Sequence, residues 1–580
     1  MMSRTSARHR HGFFLVLVLV VVAVATMAVY SFTELMLAAD ETAYLQGDLV
    51  QARLNVDTGV ETVRLVLASP PADRDEMGGV YENASLFRSI AITNELDGPV
   101  QRFSVIAPGI SDTGSLGGIR FGLQDESARI NVNALLVLEE NSDAIGMLTT
   151  LSGGSAAADG ILGDAISGGS GATSGSDETL DAENIAVELL LTLPGMDEAI
   201  ADAILDWIDE DSEPRAMGCE DEYYSSLSTP YACPNEPLKS VEELLLVRGV
   251  TPQLLFGADT NRNGVLDLDE QQRTAASIDT SGALGWAAYL TVHGGENNKT
   301  AAGDPRVNIN GEDLEVLYDE LLTALGDETF ASFIVAYRMY GKSSIENSTA
   351  LLAANALSGG DEVSDEADSA SESEKELWSV DVMEDVDLTA GPAVEINQVL
   401  DLIDAEVTIG DGEEAVVYMS PFISDPTLMS EYLPLLMDQL STQDVDVLPG
   451  RINLNEAPAE ILAGISLVDA DTMAAILEAR NASGAGAGAY GSGSATDRTH
   501  ETWPLTEGIV SLDQMRALMP LVTAGGDVFR AQVIGFDETT GLAARGEAII
   551  DATTVNPRVV AYRDLTHLGR GFEISVLRGY

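Results

Sequence analysis

Basic residues are scarce in this chain: 30 Lys and Arg stand against 94 Asp and Glu in 580 residues, a formal net charge of −64. A field of that sign repels nucleic-acid phosphate and anionic lipid and draws cations. Histidine is rarer still, five in all, and His9 and His11 lie in the first dozen residues. His293, His500 and His567 stand alone, with no HExxH pair and no cysteine–histidine ligand spacing. Nucleophile elbows and phosphate loops are missing too, so the chain does not read as an enzyme. Cysteine is limited to Cys219 and Cys233. A bridge between them would contribute about 3 kcal/mol by loop-closure entropy. Two separate thiols are the alternative, and the bridge is the expectation if the segment lies outside the cytoplasm.

What the chain does have is apolar material, 45 % of it, enough for several packed domains. It opens with Arg4, Arg8 and Arg10, then runs uncharged from Phe13 to Phe32. About twenty helical residues span the hydrocarbon core of a bilayer, and arginines before the span place that end in the cytoplasm. A signal peptide cut near "LMLAAD" (Leu35 to Asp40) and a plain anchor are two readings. A third fits better: the basic leader, Gly12 and the aromatic Phe13 resemble a type IV prepilin, which implies cleavage at Gly12–Phe13 by a prepilin peptidase. Pilins usually carry glutamate at the fifth mature position, and here Leu17 stands there. That suits a tip subunit, which has no neighbour above it to pair such a carboxylate. Beyond the span, Leu49, Ala52, Val56, Val60, Val63 and Leu67 recur at three- and four-residue steps, which continues the helix until Pro70 and Pro71 end it.

Three strings echo one another: "RINVN" from Arg129, "RVNIN" from Arg306 and "RINLN" from Arg451. Each reads as a short strand, an asparagine cap and a helix. Pairs of helical segments joined by tight turns follow, as in "AVELLLTLPGMDEAIADAILDWIDED", "SVEELLLVRGVTPQLLFG" and Ala459 to Arg480, and resemble helix-hairpin-helix units. Gly/Ser-rich or acidic tracts at 152–181, 358–376 and 482–502 read as flexible linkers. After Trp503 the pattern turns alternating and β-branched, as in an antiparallel sheet, with "FDETTGL" as a hairpin turn.

One cation motif is complete. In "DTNRNGVLDLDE", Asp259, Asn261, Asn263, the Val265 carbonyl, Asp267 and Glu270 occupy the ligand places of a calcium loop, with Gly264 at the sharp turn. Two asparagines lower the ligand charge and point to modest affinity. A second acidic group, Asp206, Asp209, Asp211, Glu220 and Asp221, reads first as a solvated face and second as another calcium site.

The block "DAILDWIDEDSEP…CEDEYYSSLSTPYACPNEPLKSVEELLLVRGV", with "GRINLNEAPAEILAGI", resembles the K-type minor pseudopilins of type II secretion. The resemblance implies an α+β fold, in which a long pilin-like N-terminal helix packs on an antiparallel sheet and a large helical domain with helix-hairpin-helix-like units is inserted. In that plan 1–12 is leader, 13–69 the helix, 70–135 the first part of the core, 136–447 the insertion, 448–481 a further helical unit and 503–580 the closing strands. It also implies calcium in the insertion, I- and J-type minor pseudopilins as partners, and a single pass through the inner membrane with the bulk of the chain in the periplasm. The role it implies is at the tip of the pseudopilus, starting its assembly and exporting folded proteins. A membrane-tethered DNA-uptake protein is the runner-up, disfavoured by the acidic flanks of the helical turns.

Overall fold

The computed structural model describes residues 11–92, 101–139, 185–274, 283–342, 375–410, 415–465, 467–482 and 498–578. The linker 152–181 lies outside them, as do most of the leader and of the tracts 358–376 and 482–502. Helix α1, His11–Leu67, is one unbroken element, about 85 Å long at 1.5 Å per residue. Every residue from 14 to 48 is exposed on it. The stripe then meets a core: Leu49 is half-buried, and Ala52, Val56, Val60, Val63 and Leu67 are buried. The helix stops just before the two prolines, as their missing N–H groups require.

That stripe lies on a seven-stranded sheet. Its strands are β1 (Ile90–Ala91), β2 (Gln101–Ile110), β3 (Leu116–Arg120), β4 (Gln124–Asp125), β5 (Val528–Asp537), β6 (Ala543–Asp551) and β7 (Arg558–Asp564). The order is β1-β2-β5-β6-β7, with β3 on β2 and β4 on β5, and every pairing is antiparallel. The chain's early and late segments therefore meet in one sheet, with Val533 opposite Val105. Glycines allow the helix to sit close. A Cβ at Gly535 would lie 2.7 Å from Asn55 Cβ, and one at Gly546 would lie 2.8 Å from Val56 Cγ1. The expected hairpin turn follows β5, where Asp537 Oδ1 accepts from Thr539 N and Thr540 N and Gly541 takes φ +70°.

A second apolar core, separate from the first, runs from Ile130 to Val522 and is largely helical. It is built from three like units. In each, the two residues after the arginine form a short strand paired in parallel with a later one: Ile130–Asn131 with Leu290–Thr291, Val307–Asn308 with Leu440–Ser441, Ile452–Asn453 with Val522–Thr523. The first asparagine caps the turn, its Oδ1 accepting from Asn133 N, Asn310 N or Asn455 N. The second asparagine donates Nδ2 to the residue after the partner strand: Val292 O, Thr442 O or Ala524 O. Each unit then folds a helix pair: α2 (Ile185–Leu191) and α3 (Glu198–Ile208), α4 (Leu314–Leu325) and α5 (Glu328–Tyr340), α6 (Ala459–Leu462) and α7 (Ala470–Ala482).

The second unit enters and leaves through one short ladder, Glu296–Asn297 against Val447–Leu448, so its two ends are neighbours. This redraws the expected domain edges. Residues 448–481 and 503–522 pack into the helical core, and the sheet strands resume only at Val528. The expected linker 358–376 gives way at Lys375–Leu377 to a strand parallel to Val416–Met419. The second hairpin-like stretch opens with a 3-10 turn, Val241–Leu246, not an α-helix.

Charges join the two cores. Glu126, fully buried, meets Arg530 at 2.6 Å and Arg129 at 3.9 Å. Arg530 also meets Glu547, which meets Arg563, which meets Glu242. Arg530 and Arg129 hold the Glu126 carboxyl below its usual range against the opposing effect of burial.

Candidate metal centre

Helix α3 begins at Asp197, whose Oδ1 accepts from Ile200 N at 2.9 Å, and from Ile200 onward all of it is buried. Two acids go inside with the apolar residues. Asp202 Oδ2 accepts from Met217 N and Asp206 Oδ1 from Arg215 N, so both hold the chain that returns after the helix. Asp209 follows at the C-terminal end of the helix, one turn beyond Asp206, and Glu220 comes in from the returning chain. Ligand oxygens of Asp206, Asp209 and Glu220 lie within 4.8 Å of one another. Asp206 Oδ2, Asp209 Oδ1 and both Glu220 oxygens are buried without a hydrogen bond of good geometry.

Three carboxylates so placed repel one another and face the negative end of a helix. Burial, first, and then Asp211, Asp206 and Glu220 push the Asp209 carboxyl up to about 7. Burial also raises Asp206 and, with the charge of Asp206, Glu220. A divalent cation would reverse each of these shifts. Hard oxygen donors, one from each of three carboxylates, suit calcium. Gly218 fits the same reading, since a side chain there would strike the Asp206 carboxylate.

Of the five acids expected in this group, the structure gathers three. Asp211 instead accepts from Glu213 N, and Asp221 accepts from Cys233 N at an exposed position. The reading of a solvated face does not hold for Asp206 and Glu220, at 0 % and 6 % exposure. The sequence grouped all five acids by their nearness along the chain; that Asp206, Asp209 and Glu220 are the three that converge depends on the return of the chain after the helix.

The 259–270 loop is built differently. Gly264 takes φ +77°, as the sharp turn needs. Asp259 accepts from Asn263 N and Gly264 N. Glu270 Oε1 accepts from Thr260 N and Oγ1, and Oε2 from Asp267 N. Asn261 Nδ2 donates to Asp267 at 2.6 Å, while Asn261 Oδ1 is buried without a partner. The Asn263 side chain is used in the fold: Oδ1 accepts from Val265 N, and Nδ2 donates to Gly571 O. Arg545 Nη2 donates to Asn261 O and Gln532 Nε2 to Arg262 O. The loop thus bridges the helical body and the sheet, and among the described residues the open carboxylate group is the one at Asp206.

Cys219 and Cys233 stand as separate thiols, which differs from the expected bridge. Cys219 Sγ lies 3.3 Å from Tyr224 Oη, and Cys233 Sγ lies 3.8 Å from the Asp206 carbonyl oxygen. Burial pushes the Cys233 thiol up to about 12. Beside the acid cluster, Trp207 stacks edge-on against Tyr224 at 5.0 Å. Sequence reasoning missed the Thr291, Ser441 and Thr523 hydroxyls, each accepting from the amide two residues on. Their shared apolar-[ST] step, "LT", "LS" and "VT", was the available signal.

Gly12 and Phe13 lie in the first turn of α1. Residues 14–67 form the helix that is long and apolar enough to cross a membrane.

Residues 128–256 match the family model of type II secretion system protein K. That stretch contains the acid cluster and ends before the 259–270 loop. Curated proteins of that name are 40 % identical over 57 residues in Pectobacterium carotovorum subsp. carotovorum (10 % of this chain, 17 % of that protein). The figures are 38 % over 72 residues in Klebsiella pneumoniae (12 % and 21 %) and 43 % over 56 in Aeromonas hydrophila (10 % and 17 %). The chain thus spans about a fifth of the length of these relatives. A solved structure, the GspK-GspI-GspJ complex from the enterotoxigenic Escherichia coli type 2 secretion system, aligns over 93 % of this chain and 99 % of that one. Its identity is 10 % and its TM-score 0.31, too low to carry an argument. Over the segment 128–256 the chain is therefore similar to type II secretion system protein K.

Proposed function

We propose that this chain is a minor pseudopilin held in the inner membrane by α1, its N-terminus cytoplasmic and its bulk periplasmic. It would stand at the tip of a type II secretion pseudopilus, start its assembly and support export of folded proteins. Its role is structural. Its partners would be I- and J-type minor pseudopilins and other components of the secretion machinery, with a prepilin peptidase cutting Gly12–Phe13.

The carrying observation is α1 itself: one helix, bare for its apolar half and packed by a single stripe onto an antiparallel sheet for the rest. A bare apolar half needs lipid or neighbouring helices around it, and the packed half ties the folded body to it. The helix pairs of the three units, which we read as helix-hairpin-helix-like, supply packing and contact surface. Their turns carry Asp197, Glu198 and Asp327, a poor seat for phosphate.

Calcium is part of the proposal. Asp206, Asp209 and Glu220 would hold one ion, tying the end of α3 to the returning chain. Asp259, Asn261, Asn263, Val265, Asp267 and Glu270 would hold another, stiffening the bridge between helical body and sheet. Mass spectrometry of the mature N-terminus, with crosslinking in membranes, tests the reading. Methylated Phe13 and crosslinks to I- and J-type subunits are the expected result. A chain starting at Asp40 in soluble form would overturn it.

A further inference from the structure

The three repeated units differ in what stands at the end of the second helix. Each second helix is capped by an aspartate: Asp197, Asp327 and Asp469 accept from Ile200 N, Thr329 N and Thr472 N. Eleven residues after the capping aspartate stand Ile208, Arg338 and Arg480 in turn.

In the second unit Arg338, 2 % exposed, donates Nη2 to Asn310 O at 3.0 Å and Gly311 O at 3.2 Å, and Nη1 to Val394 O. In the third, Arg480 donates Nε to Leu454 O at 2.6 Å, and Nη1 and Nη2 to Ala457 O at 2.9 Å. Both guanidinium groups therefore tie the helix to carbonyls of the turn that follows the R-[IV]-N-x-N strand. A planar cation with five donors suits several carbonyls at once. Ile208 has nothing to donate. Among the described residues, in that unit alone the helix end carries Asp206 and Asp209, joined by Glu220, with buried oxygens that lack a hydrogen bond of good geometry.

We infer that Arg338 and Arg480 do in the second and third units what a divalent cation does at the end of α3, so that cation dependence is confined to the first unit. The arginines act through the turns they hold and are positioning residues. The inference rests on the cation reading above and adds that the other two units are independent of it. A fixed organic cation makes those units indifferent to the calcium level of their compartment, and leaves the first unit to respond to it.

The test is hydrogen exchange of the full chain in detergent, with calcium or with chelator, read by peptide. Chelation is expected to speed exchange over 198–220 about ten-fold and to leave 314–340 and 470–482 unchanged, since local opening energies set exchange. In calcium, Arg338→Met is expected to speed exchange over 310–311, 328–340 and 393–396 about ten-fold with 198–220 untouched. Arg338→Lys, keeping the charge but losing the fork, falls between. Loosening of the second or third unit by chelator, or a silent Arg338→Met, would overturn the substitution itself. No response at 198–220, with Arg338→Met behaving as stated, would overturn the cation reading beneath it, and the inference with it.

Discussion

Removing the proposed cation from the Asp206 cluster should make stability fall as pH rises. The Asp209 carboxyl, ordinarily at 3.8, is pushed up to about 7. That rise corresponds to about 4 kcal/mol, which we discount to about 2 kcal/mol because the group is only half-buried and screened by water. The sign follows from linkage. The folded chain holds the proton more tightly than the unfolded one, so the cost is absent below about pH 4, grows through the interval and is complete above about pH 7. Calcium should cancel it. At a hundredfold excess over Kd a ligand of the native state adds about 2.7 kcal/mol, or about 5–10 °C in Tm at 2–4 °C per kcal/mol. The assay is thermal unfolding of wild type and the Asp209→Asn/Glu220→Gln double variant at pH 4.5, 6 and 7.5, with calcium or chelator, followed by tryptophan fluorescence that includes Trp207. Taking wild type minus variant cancels the titration of other groups. The difference should slope downward only with chelator, and the calcium gap should shrink by about 5 °C in the variant. Equal slopes and equal calcium gaps in the two proteins would refute the reasoning.

Glu126 is buried between two arginines, so Arg530→Met should cost about 3–5 kcal/mol in denaturant titration by stranding a charge; a loss under 1 kcal/mol would show the seam to be wet. Replacing 298–446 by an Asn-Gly turn joins Asn297 to Val447 across an existing ladder, and the shortened protein should keep its near-UV circular dichroism and cooperative melt. Glu270→Gln should weaken calcium binding at the loop and speed hydrogen exchange around Arg545 and Gly571, which the loop touches; exchange changes confined to 259–270 would break the proposed link to the sheet. In Ellman titration, Cys219 and Cys233 should each react only after unfolding, because burial raises both thiols; two fast native thiols, or none after unfolding, would contradict the structure.

The sequence by itself determined the elements whose cause is local. Twenty uncharged residues, the stripe from Ala52 to Leu67 and the prolines after it were enough for α1, because helix periodicity and proline chemistry act within a few turns. Alternation was enough for β5, β6 and β7, and three R-[IV]-N-x-N strings disclosed the repeat. What only the tertiary structure decided are the meetings between distant segments. It paired β2 with β5 across more than four hundred residues, and it assigned 448–465, 467–482 and 503–522 to the helical body. It also brought Glu220 back onto Asp206 and Asp209 and used the Asn263 side chain to hold Gly571. The physical reason is that a carboxylate becomes a cation ligand through its neighbours and its burial, and both are set by chain return, which residue spacing does not encode.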